Sequence, residues 1–147
     1  MTAVHELMST APITVGPDTT LTELLSLFDR YGYNAFPVVG DAGKLVGIVS
    51  QLDLLRPFVA RRSRRSVDVA ATARVSDVMQ KKVVSVRSQD TIVDVGRLML
   101  VTRLRSLPVI HRFRRNARAQ LVGMVSRGDL LRGFGYRLEM SARPQPA

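Results

Sequence analysis

Two stretches of this chain carry a serine and an aspartate three positions apart, directly behind a Gly-apolar-Val segment: Gly47-Ile48-Val49-Ser50-Gln51-Leu52-Asp53 and Gly123-Met124-Val125-Ser126-Arg127-Gly128-Asp129. If a helix starts at each serine, the aspartate lies in its first turn beside backbone N–H groups that lack an intrahelical partner. There a carboxylate can accept from two vicinal hydroxyls, in charge-assisted bonds worth ~1.5–3 kcal/mol. The same helix end favours phosphate through its dipole and its unpaired donors. A nucleotide suits this chemistry. The pattern is equally a helix capping box, in which the serine hydroxyl accepts the N–H three residues on. Both readings stand, and both can hold at once if the hydroxyl caps until a phosphate arrives. Thr20-x-x-Glu23 and Thr91-x-x-Asp94 have the same form and are assigned to capping alone.

The elements that must position these residues occur twice. Val4-His5-Glu6-Leu7-Met8 returns as Val75-Ser76-Asp77-Val78-Met79, Phe36-Pro37-Val38-Val39 as Leu107-Pro108-Val109-Ile110, and Leu45-Val46-Gly47 as Leu121-Val122-Gly123. An offset of 71 residues, from Met8/Met79 through Pro37/Pro108, becomes 76 from Leu45/Leu121 onward, because the second copy has a longer, basic hairpin loop around Arg112 to Gln120. One insertion with register kept on both sides is the mark of a duplicated fold. In the first copy Pro12 to Val15 reads as a strand, and Leu21, Leu24, Leu25 and Phe28 as the apolar stripe of a helix that begins at Thr20 and ends at Gly32. Ala35 to Val39 and Lys44 to Val49 form a hairpin, and a second helix from Ser50 carries Leu52, Leu54, Leu55 and Phe58 inward. The second copy repeats this with a strand Val83 to Val86, a helix from Thr91 bearing Ile92, Val95 and Met99, strands Leu107 to Ile110 and Leu121 to Val125, and a helix from Ser126. Gly133-Phe134-Gly135-Tyr136 is expected to cap that last helix. The fold class is therefore α/β: two β-α-β-β-α repeats at 4–60 and 75–136 related by a pseudo-twofold, a basic linker at 61–74, and a tail at 137–147, disordered in part.

Composition narrows the chemistry. An apolar fraction of 46% is that of a globular chain, and two halves of about 60 residues would each be marginal alone, so a shared core is expected. No charge-free run is long enough to span a membrane and the N-terminus lacks signal-peptide order, which points to a cytoplasmic protein. The absence of cysteine removes disulfides and thiolate chemistry; His5 and His111 are read as surface residues. Met8, Met79 and Met99 are read as core fillers. The net charge is +10, and half of the 22 basic residues fall in two windows, Arg56 to Arg65 and Arg103 to Arg118. Such a field favours polyanions: nucleotide phosphates, nucleic acid or an anionic surface.

The ordered set Val-x-(Asp/Glu)-apolar-Met, (Thr/Ser)-Val, apolar-Pro-Val-apolar and Leu-Val-Gly-apolar-Val-Ser-x-x-Asp-Leu-Leu resembles the cystathionine β-synthase (CBS) domain, and its tandem occurrence resembles a CBS pair, or Bateman module. The resemblance covers residues 4–58 and 75–134. It implies a regulatory module without catalysis that binds AMP, ADP, ATP or S-adenosylmethionine in clefts between the repeats, with no required cofactor. It also implies a homodimer and a separate regulated protein: a channel, transporter or enzyme. On that basis Asp53 and Asp129 accept ribose hydroxyls, and Ser50 and Ser126 approach phosphate. The adenine lies between Ile13-Thr14 or Val84-Ser85 and the segments Asn34, Ala35, Pro37 or Arg105, Ser106, Pro108. Arg105 and Arg127 stand where the first copy has neutral Asn34 and Gln51, so the Asp129 site is expected to prefer phosphorylated ligands. Arg105 reads equally as an exposed strand-edge charge. Two rivals remain: a nucleic-acid binder using the arginine segments, whose binding would fall steeply with salt, and a nucleotide hydrolase, for which no base, metal cluster or glycine-rich phosphate loop is evident.

Overall fold

The computed structural model describes residues 2–59, 71–112, 114 and 118–142, with 136–142 described by backbone alone. The arginine run at 61–65, most of the linker, Phe113, residues 115–117 and the tail from 143 lie outside the described residues.

The chain divides into two compact units that do not coincide with the sequence repeats. The first comprises Ile13–Val84 and Arg112–Leu121; the second comprises Met1–Pro12, Ser85–His111 and Val122–Ala147. The leading segment of each repeat therefore belongs to the unit built around the other repeat. Buried apolar residues form two clusters, one per unit, in place of the single shared core expected. Val75 is buried with Val15, Leu24, Phe36 and Val49, whereas Val4 is buried with Ile92, Leu107, Val109 and Val125.

In the first unit, α1 spans Leu21–Tyr31. Its start is closed by a reciprocal capping box: Glu23 N donates to Thr20 Oγ1 at 3.1 Å and Thr20 N to Glu23 Oε2 at 3.0 Å. Gly32, at φ 65°, ends it in the left-handed region that glycine enters without strain. Strands β1 (Ala35–Val39) and β2 (Leu45–Ser50) form an antiparallel hairpin in which Ala35 faces Ser50 and Pro37 faces Ile48. The strand expected at Pro12 to Val15 is reduced to one parallel bridge, Val15 to Val38. Pro12 has no N–H to give, and Gly16-Pro17 follows at once. Helix α2 spans Gln51–Val59, and a short α3 spans Val75–Val78. The inward residues of α2 are Asp53 and Leu54; Leu52, Leu55 and Phe58 are exposed, contrary to expectation, and with Leu25 of α1 make an outward apolar face.

In the second unit, β3 (Val86–Arg87), β4 (Ser106–His111) and β5 (Gln120–Ser126, in this unit from Val122) lie in the order β3-β4-β5, with β3 parallel to β4 through Val86–Val109. The strand expected at Val83 to Val86 thus begins only at its last residue. Helix α4 (Ile92–Thr102) starts where Thr91 Oγ1 accepts Asp94 N at 3.2 Å, and buries Ile92, Val95 and Met99 as expected. At its end stands Arg103, φ 63°, in the conformation that Gly32 takes in the first unit. Helix α5 runs from Arg127 to Ala142, straight through the glycines expected to cap it. Gly133 is there for closeness: a Cβ on it would stand 2.5 Å from Leu7 Cδ1. His5 and His111 are exposed, as expected.

Candidate functional site

The start of α2 is assembled from three pieces of chain. Ser50 ends β2 opposite Ala35, Gln51 N donates to Asn34 O at 3.1 Å, and Val15 N donates to Pro37 O at 3.1 Å, which brings the Ile13-Thr14 segment beside β1. The first-copy site residues Ile13, Thr14, Asn34, Ala35, Pro37, Ser50 and Asp53 all belong to this one unit. Asp53 is 3% exposed and its oxygens are engaged. Oδ2 accepts Ser50 N at 2.8 Å and Ser50 Oγ at 3.0 Å, and Oδ1 accepts Gln80 Nε2 at 2.8 Å, with Arg56 Nη1 at 3.7 Å. Asp53 N donates back to Ser50 Oγ at 3.3 Å, so the capping box is made.

The second unit repeats the arrangement around the start of α5. Ser126 N donates to Asp129 Oδ2 at 2.8 Å and Asp129 N to Ser126 Oγ at 3.1 Å. Arg132 Nη2 pairs with Oδ1 of Asp129, and the Asp129 side chain is 13% exposed. Ser85, Arg105, Ser106, Pro108, Ser126, Arg127 and Asp129 share this unit, whereas Val84 falls on the other side of the division. Ser106 opens β4, Pro108 is buried within it, and Arg105 is exposed just before it.

Arg127 also makes bonds within the unit that its sequence position does not foretell. Its backbone N–H donates to Arg105 O at 2.9 Å, while its guanidinium donates through Nε to Leu104 O at 3.0 Å and through Nη2 to Arg103 O at 2.6 Å. Those carbonyls follow the end of α4, so Arg127 clasps the helix end, as Gln51 does more weakly by donating from Nε2 to Tyr33 O at 3.3 Å. Two of its nitrogens are committed before any phosphate arrives. The residues that sequence reasoning passed over are Arg56, Arg132 and Gln80. The arginines were visible as a repeated Ser-x-x-Asp-x-x-Arg at the 76-residue offset. Gln80 gave no signal, because its carboxylate partner lies 27 positions away. Among the described residues no group of three His, Cys, Asp or Glu side chains is placed to hold a metal, and no helix is long and apolar enough to cross a membrane.

Two α/β units, each with a hairpin strand running into Ser-x-x-Asp at a helix start, define a duplicated α/β module. The CBS domain family model matches residues 4–59 and 75–136, and the chain belongs to that family as a tandem pair. It is 31% identical over 132 residues to a CBS domain-containing protein of Dictyostelium discoideum, covering 87% of this chain and 88% of that one. The fold matches the crystal structure of CBSX2 in complex with AMP at TM-score 0.79 and 26% identity, over 95% of this chain and 99% of that chain. It also matches the CBS domain pair of MJ0100 in complex with 5-methylthioadenosine and S-adenosyl-L-methionine at TM-score 0.74 and 23% identity, over 93% and 98%. Among curated relatives from Methanocaldococcus jannaschii the chain spans 84% of the length of one uncharacterized protein, 43% of another and 22% of an inosine-5'-monophosphate dehydrogenase.

Proposed function

We propose that this CBS pair is a non-catalytic sensor of adenosine-containing ligands: AMP, ADP, ATP or S-adenosylmethionine. The single observation that carries the reading is the Asp129 carboxylate, held in the first turn of α5 by Ser126 N, with its Oδ1 paired only toward the solvent side by an arginine that is 73% exposed. A ribose diol can displace so exposed a partner at little cost. The AMP complex of CBSX2 supports the ligand class, at 26% identity. Ser126 and Arg105 serve the phosphate end; Ser85, Ser106 and Pro108 flank the base, with Val84 just before them. The corresponding set around Asp53 is Ser50, Ile13, Thr14, Asn34, Ala35 and Pro37. Ligand binding biases a separate regulated protein by its differential affinity for two states of the module. The protein acts as a homodimer. Leu25, Leu52, Leu55 and Phe58 on one unit, and Leu100, Val101 and Leu131 on the other, are exposed apolar residues that a second copy would cover.

A second reading, a polyanion or nucleic-acid scaffold, draws on the exposed Arg112, Arg114 and Arg118. Calorimetric titration of AMP, ATP and S-adenosylmethionine at two salt concentrations separates the two. Saturable, stoichiometric binding of one adenosine ligand supports the sensor, and salt-sensitive binding of any polyanion with no adenosine preference supports the scaffold.

A further inference from the structure

We infer that Gln80 closes the first Ser-x-x-Asp site, so that the chain takes up one adenosine ligand, at Asp129; this rests on the sensor reading above. To hold a ribose, a carboxylate must accept from both vicinal hydroxyls. The Asp53 carboxylate has about four acceptor positions. Oδ2 already takes Ser50 N and Ser50 Oγ, and Oδ1 takes Gln80 Nε2 at 2.8 Å with the Arg56 guanidinium 3.7 Å away. Two incoming hydroxyls must therefore expel the Gln80 amide from a charge-assisted bond to a buried carboxylate, which lowers affinity by about tenfold or more.

The position of Gln80 is fixed by its backbone. Gln80 N donates to Ile48 O at 2.8 Å and Ile48 N to Gln80 O at 3.0 Å, which sets its Cα beside β2 close to Ser50. In the second unit Ser9 makes the same pair of bonds with Met124, at 2.8 and 3.0 Å. A serine side chain ends at Oγ, well short of where the Gln80 amide ends. The arginines do not explain a closed first site, because the closer pair is in the second: Arg132 is hydrogen-bonded to Asp129 Oδ1, whereas Arg56 stands 3.7 Å from Asp53 Oδ1. The residue at the Gln80/Ser9 position does explain it, and the exposures follow that residue: 3% for Asp53 and 13% for Asp129.

The test is calorimetric titration of the full chain with AMP, ATP and S-adenosylmethionine, continued with whichever binds wild type tightest. Wild type is expected to bind one per chain, and Asp129→Ala about 30-fold to 150-fold more weakly. Adding Gln80→Ser or Gln80→Ala to Asp129→Ala restores one per chain, at least about tenfold tighter than any binding left in Asp129→Ala, and further addition of Asp53→Asn removes it again. Gln80 is exposed, and thermal unfolding of each variant checks that the fold is kept. Two ligands per chain in wild type, or no recovery in either double variant while wild type binds one, overturns the inference and leaves the sensor reading intact. Wild type silent to all three ligands overturns the sensor reading, and the inference with it.

Discussion

Gly123→Ala tests the segment exchange that builds both units. A Cβ at position 123 would stand 2.7 Å from Met8 Sδ, 2.7 Å from Ser9 O and 3.1 Å from Met8 Cγ. The thioether can rotate away, but the carbonyl is tied into the Ser9–Met124 bridge and has nowhere to go. Overpacking of this kind costs about 1–3 kcal/mol, and the backbone contact places this case near the upper end. At about 2–4 °C per kcal/mol for a chain of this size, the melting temperature should fall by roughly 4–12 °C. Gly96→Ala is the internal control. Its Cβ would meet nothing closer than 3.9 Å, from Leu130 Cδ1, and α4 gains about 0.5–1 kcal/mol of helix propensity. The assay is urea denaturation with thermal melts, comparing midpoints at unchanged slope. Adding Met8→Ala to Gly123→Ala should recover part of the loss but not all, since the Ser9 carbonyl remains. A Gly123→Ala protein as stable as wild type would refute the packing of the Met8 segment on β5.

Two further substitutions probe the helix ends. Arg103→Gly should stabilise by about 0.5–1 kcal/mol in the same denaturation assay, because Arg103 sits at φ 63° where Gly32 serves the first copy; a loss would show that its side chain contributes more than its backbone strain costs. Arg127→Ala should destabilise by about 1 kcal/mol through loss of the bonds to the Arg103 and Leu104 carbonyls, and Arg127→Gln, the Gln51 arrangement, should recover part of this. A pure phosphate role would instead leave stability unchanged and weaken only ATP relative to S-adenosylmethionine.

What could be read from sequence was what is local. The capping threonines, Gly32, the hairpin and both Ser-x-x-Asp pairs are specified by residues a few positions apart, and each is found where its pattern places it. The exchange of leading segments was not legible, because Val4 and Val75 are the same residue in the same motif, and either cluster accepts a valine. Gly47 and Gly123 carried the clue: each needs a neighbour close enough to exclude a Cβ, and that neighbour is the Met79 or Met8 segment. The outward face of α2 is not legible in sequence, because apolar periodicity does not say whether a stripe faces the unit's own core or a further partner; burial of Asp53 and Leu54 turns Leu52, Leu55 and Phe58 to the surface. The glycines of α5 resemble a stop signal in sequence, and the reason for Gly133, its closeness to Leu7, lies in a segment more than a hundred residues earlier.

The measurement that bears most directly on the central claim is the affinity of wild type and Asp129→Ala for AMP, ATP and S-adenosylmethionine by titration calorimetry, with melting temperatures recorded beside it. Wild type is expected to bind one of these saturably, and Asp129→Ala, still folded, to lose ~2–3 kcal/mol, about 30-fold to 150-fold. Equal affinity in the folded variant, or no binding by wild type, would contradict the claim.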